Sequence, residues 1–221
     1  MKFNQNLRDL IVDSHRYQYV GISDAKAMER KQPKLRICKW LFFFSKAQWI
    51  IIGISIVISL FIPKGISSDF AGYIVSGLSL FVGIFFTFII TLYDKFKNID
   101  FSKYDKKISE EKHYIGIRLK NFFKKVTVLS LYSIILSIIC IILLSITLLF
   151  GEYINNCQCS IMFVCDFLKI GDYWCVVKYV LAKLYGTIVF YFLFDFLLIA
   201  VYLISSIYDF IISEYNQIKL S

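Results

Sequence analysis

Apolar and polar positions along this chain fall into long blocks, not the short alternation of a soluble sheet or the one-sided stripe of a soluble helix. Residues 1–46 are polar and basic. An apolar run, AQWIIIGISIVISLFI, fills 47–62 and stops at Pro63-Lys64-Gly65. A second run covers 70–93, a third 126–150 and a fourth 184–208. At about 1.5 Å per residue, the last three cross a hydrocarbon core of roughly 30 Å. The first is short unless Trp40 to Phe44 extend it. The pattern predicts an all-α integral membrane protein, a bundle of four transmembrane helices.

Between the runs lie a turn at 63–69, a basic segment at 94–125, a cysteine-bearing loop at 151–183 and a tail at 209–221. The second half of 94–125 reads as a helix continuous with the third span. In the N-terminal segment, residues 4–12 suit a short helix with Leu7, Leu10 and Ile11 on one face. Ser23 suits the cap of a second helix over 24–31, which Pro33 ends. Residues 36–44 (RICKWLFFF) read as an interfacial stretch, basic and aromatic.

Composition fits the pattern. The chain has 221 residues, 58% of them hydrophobic and 18% aromatic, and its mean hydropathy is +0.65. The net charge of +9 invites a nucleic-acid reading, but the bases flank apolar runs, as topology determinants do. Segments 1–46 and 94–125 hold 10 Lys/Arg each, whereas 63–69 and 151–177 hold one each, Lys64 and Lys169. Both termini are therefore expected on the cytoplasmic side. The first 36 residues contain no apolar stretch suited to a cleavable signal, and no lipidation motif is present.

Four of the six cysteines, Cys157, Cys159, Cys165 and Cys175, fall in the loop placed outside. In an oxidising compartment they suit disulfides. Cys157–Cys159 is the least favourable pairing, so each of these two is expected to bond Cys165 or Cys175. A zinc site is a poor fit to C-x-C-x5-C-x9-C; free thiols are the other alternative.

Three runs carry small residues four apart: Ser55/Ser59, Gly72/Ser76 with Ser79/Gly83, and Ser133/Ser137. Such pairs permit close helix approach in lipid, within the bundle or between copies. Asp195 stands near the middle of the fourth run, where a carboxylate costs about 2.5–3.5 kcal/mol. It must face protein or water, or be protonated. Ser79, Thr87, Ser133, Ser137 and a symmetry-related Asp195 are candidate partners. The basic residues Arg30, Lys31, Lys34, Arg36, Lys106, Lys107, Lys124 and Lys125 are candidates for docking a cytoplasmic protein or anionic lipid. No nucleotide-binding, metalloprotease or hydrolase motif is present, so neither an enzyme nor a cofactor or metal is expected.

Four spans with a cysteine-bearing second outer loop look at first like tetraspanins, but the loop is short and lacks Cys-Cys-Gly. The hairpin 47–93, ending GLSLFVGIFFTFIITLYDKF, and the basic segment after it resemble the membrane subunit of Kiwa-type bacterial anti-phage systems. That resemblance implies an oligomeric inner-membrane sensor or effector that binds a cytoplasmic protein. The alternative expectation is a channel or pore-forming effector in which copies of Asp195 line a cation path.

Overall fold

The structure is a computed structural model, and it describes residues 2–17, 46–62, 66–104, 110–155 and 173–215. These residues form helices joined by turns, with no strand among them. The helices are α1 (Lys2–Tyr17), α2 (Lys46–Phe61), α3 (Ser68–Lys97), α4 (Glu110–Asn155) and α5 (Tyr173–Tyr215), with a 3-10 turn at Phe101–Tyr104. Helices α3, α4 and α5 are long and apolar enough to cross a membrane, while α2 is a shorter apolar helix. Three of the four expected spans are thus long enough among the described residues. At 16 residues, α2 is about 24 Å long, below the roughly 30 Å of a hydrocarbon core. Its proposed extension through Trp40–Phe44 lies outside the described residues. So do the helix expected at 24–31, the interfacial stretch 36–44, and Arg30, Lys31, Lys34, Arg36, Lys106 and Lys107.

Burial is inverted relative to a soluble protein. Among the described residues, 36 large apolar side chains are exposed, against 21 buried apolar ones. The inward face of α2 carries Gln48, Ser55 and Ser59, while Trp49, Ile50, Val57 and Phe61 point outward. In water this arrangement would expose far more apolar surface than a monomer tolerates. In lipid it is the stable one, because polar groups find partners inside and aliphatics meet acyl chains. The three long helices and this inversion are compatible with a multi-pass membrane protein.

The chain divides into two compact units. The first comprises residues 1–43, 84–134 and 198–221. Its centre is aromatic. Phe122 of α4 stacks on Phe210 of α5 at 3.9 Å, and Phe123 meets Phe96 of α3 at 5.4 Å. Phe101 extends the cluster from Phe96. The 3-10 turn is set by Asp100, whose carboxylate accepts the Ser102 hydroxyl and backbone N–H. Those bonds hold the Asp100 carboxyl below its usual range. The turn packs so closely on α4 that a Cβ at Gly116 would lie 2.5 Å from Tyr104 Cβ. Beside it, His113 Nδ1 is 3.0 Å from the Tyr104 carbonyl oxygen. Helix α1 docks on α4 through Tyr17, under the Lys124 ammonium, and His15, edge-on to Tyr132.

The second unit comprises residues 44–83 and 135–197. Ser67 caps α3, its hydroxyl accepting the Phe70 N–H, and Asp69 sits in the first turn where the helix dipole favours an acid. At the other end of α2, Lys183 of α5 donates to the carbonyls of Ser59 (2.9 Å) and Ile62. The Ser59 hydroxyl donates back to the Lys183 carbonyl at 2.8 Å. This clasp satisfies carbonyls that a helix C-terminus leaves without partners.

Candidate functional site

The second unit holds a line of polar groups that ends at a single buried carboxyl. It begins at the Lys183–Ser59 clasp. Next along α5, the Tyr185 hydroxyl donates to the Leu143 carbonyl of α4. Thr147 Oγ1 lies 2.8 Å from that hydroxyl; with the tyrosine proton already used, Thr147 is the donor. Further on, Asp195 is 1% exposed and lies near Cys140 of α4 and Tyr191, one turn earlier on α5.

These contacts fix the register. Moving back along α4 from Thr147 to Cys140 corresponds to moving forward along α5 from Tyr185 to Asp195. The two helices are therefore antiparallel here, and Ser137, fully buried one turn before Cys140, lies on the stretch of α4 facing Asp195. Helix α2 joins α5 at the clasp, where Ser59 meets Lys183 and Gly186. Its buried residues, Gln48, Ile51, Ser55 and Ser59, share one face.

Of the four hydroxyls expected near Asp195, Ser137 is fully buried in the same unit. Ser79 is exposed, and its hydroxyl donates to the Val75 carbonyl of its own helix. Sequence reading missed Gln48. The available signal was its spacing of seven and eleven from Ser55 and Ser59, which puts all three on one helical face.

The small-residue pattern needs the same correction. No atom approaches within 4 Å of a Cβ built at Gly72 or Gly83, and Ser76 and Ser79 bond carbonyls of their own helix. Among the described residues, no close helix approach is seen at Gly72 or Gly83. Gly186 has one: a Cβ there would sit 2.9 Å from Ser59 Oγ. Ser133 and Ser137 are fully buried on α4.

The predicted cysteine framework mostly escapes description. Cys157, Cys159 and Cys165 lie outside the described residues, as does the side chain of Cys175 at the start of α5. Of the expected docking bases, Lys124 is exposed. Lys125 is not, at 6% exposure, and it feels the charge of Asp209. A long stem buried beside an acid serves packing, not docking.

Among the described residues no three His, Cys, Asp or Glu side chains gather as metal ligands. The cluster offers one carboxyl with uncharged partners, which suits hydrogen bonding and proton occupancy. No family model, curated protein or solved structure matches this chain.

Proposed function

We propose that the protein is a non-enzymatic, oligomeric subunit of a bacterial inner membrane that couples an event at the membrane to a cytoplasmic partner protein, as a sensor or effector. The observation that supports this is α4. A single unbroken helix of 46 residues, about 70 Å long, carries both the second half of the basic segment and the most apolar run. The hydrocarbon core uses less than half of that length. What remains is a stiff basic arm, with Lys112, Lys120 and Lys124 exposed, able to present charge to an acidic protein face. In this reading both termini are cytoplasmic, with α2 completing the first crossing. Resemblance to the Kiwa-type membrane subunit adds anti-phage defence as the setting.

Affinity purification of the tagged chain in mild detergent, from cells carrying its neighbouring genes, tests the proposal. A stoichiometric soluble partner, lost when Lys112, Lys120 and Lys124 are changed to Glu, is expected. Recovery of the chain alone would remove the coupling role. The cation-path reading is weaker, because an Asp195 buried at 1% exposure within one chain is not available to an axis between copies. Single-channel recording that showed a conductance altered by Asp195→Asn would restore it.

A further inference from the structure

Helix α5 continues past the end of its apolar run with one face still apolar and open. Val201, Ile204, Tyr208, Ile211 and Tyr215 are 62%, 67%, 62%, 44% and 67% exposed. Their spacing is three, four, three, four, the a and d positions of a heptad seam. Leu203 and Ser206, on the opposite side, are buried.

In lipid an exposed valine or isoleucine is ordinary. Part of this seam lies beyond that environment. Within the first unit, Phe96, Phe123, Phe122 and Phe210 form one connected aromatic cluster. Charged residues gather immediately beside it: Asp94, Lys95 and Lys97 on α3, Lys124 and Lys125 on α4, and Asp209 on α5. This is where charge begins on three helices at once. Ile211, Ile212 and Tyr215 stand on the far side of Asp209, away from the apolar run. Open apolar side chains past a charge layer mark an interaction surface.

We infer that this seam is where a second copy of the chain binds, through a parallel pairing of α5 with α5. The inference rests on the oligomeric part of the function proposed above and assigns it a surface. Three observations select a second copy. Two copies with the same membrane orientation hold their seams at the same depth, so parallel pairing brings each residue against its own counterpart. The flanking e and g positions from Ala200 to Ile212 are Ala200, Ser205, Ile207 and Ile212, so no like charges oppose the approach. With Ile212, the exposed side chains offer on the order of 700 Å² per copy, near the roughly 800 Å² per partner of a stable interface.

Single cysteines test the surface in membranes holding the full chain. Tyr208→Cys, Ile211→Cys, Tyr215→Cys, Asp209→Cys and Ser76→Cys are each oxidised with copper phenanthroline and compared with the unsubstituted chain. Dimer above that background at 208, 211 and 215, and none at 209 or 76, is the expected result. Ile211→Glu with Tyr215→Glu, both surface changes, should lower the crosslinked fraction by at least about tenfold. Crosslinking at Ser76→Cys alone would place self-association on α3; it would overturn the seam and leave the oligomer standing. A monomer at every position would overturn both. Equal yields throughout 208–215 would mark random collision and also sink the seam.

Discussion

Helices α3 and α4 both carry small residues at helical spacing and use them in opposite ways. On α4, Ser130, Ser133 and Ser137 are fully buried. On α3, Ser76 and Ser79 are exposed and fold their hydroxyls onto their own backbone, while Gly72 and Gly83 have open space beside them. Only 11% of the most apolar stretch of α3 is buried, against 39% on α4. Small residues permit close approach, but what stands opposite decides whether it happens. Helix α4 meets α5 through complementary groups, such as Thr147 with Tyr185. In lipid there is no hydrophobic force to bring two smooth faces together without such complementarity.

Matched substitutions break this contrast most sharply at glycine. Gly186→Leu drives a side chain into Ser59, whose Oγ is 2.9 Å from the new Cβ, and disrupts the clasp with Lys183. A loss of about 3 kcal/mol is expected, at the upper end for overpacking. Gly83→Leu on the open helix should change the stability of the single chain by less than about 0.5 kcal/mol. Thermal or denaturant unfolding in detergent measures both. Equal losses at the two sites would mean that α3 is packed in the assembled protein.

Asp195 offers a smaller and more diagnostic contrast. Asp195→Asn keeps size and hydrogen bonding and should stay near wild type. Asp195→Leu leaves its neighbours without a partner, a loss of about 1–2 kcal/mol. Size-exclusion profiles and unfolding rank the two. An Asp195→Leu chain as stable as wild type but biologically inactive would assign the carboxyl to function instead of packing.

These contrasts show what was legible in the sequence. The long apolar runs announced α3, α4 and α5, because hydrophobic length is a one-dimensional property. The basic stretch before the third run reads as helix and is helix, since nothing between Glu110 and Val126 breaks the backbone pattern. Asp195 was visible as an anomaly in its run, and its burial follows from the cost of exposing it to lipid. Which face packs was not legible. Gly72/Ser76 and Gly186 look alike in sequence, yet only Gly186 has Ser59 across from it, a residue 127 positions away. Lys125 looked like its neighbour Lys124, but one helical position, a turn of about 100°, moves it from surface to interior. Element ends also escaped hydropathy. Helix α5 runs from Tyr173 to Tyr215, well past both ends of its apolar run, because backbone hydrogen bonds continue wherever no residue stops them.

Lys183→Met sharpens the comparison at α2, the helix too short to be held by span length alone. Methionine keeps the stem and removes the donors to the Ser59 and Ile62 carbonyls. About 1 kcal/mol should be lost, discounted for partial exposure. The loss should appear as faster amide exchange over the last turn of α2, with the ends of α4 unaffected. Exchange that rises throughout the bundle would show the clasp supporting the whole unit.

The smallest expected effect concerns what covers α4 where α1 docks. His15 is half-buried against Tyr132, with ring centroids 5.5 Å apart, and burial lowers its pKa from the ordinary 6.5. The docked state therefore disfavours the charged imidazole, and Lys124, over Tyr17 on the same pair of helices, adds no compensating acid. Well above pH 6.5, His15 is neutral whether α1 is docked or free, and docking is at full strength. As pH falls through 6.5 the undocked form takes up a proton first, so docking weakens until the docked form also protonates. Proteolysis or amide exchange of α1 between pH 8 and 5 should show increasing release at the acid end. The effect is expected to be below about 1 kcal/mol, because the ring is only partly withdrawn from water. His15→Phe keeps the edge-on contact with Tyr132 and cannot take a proton, so its docking should be flat across the same range. A His15→Phe chain that still releases α1 in acid would move the titration to another group.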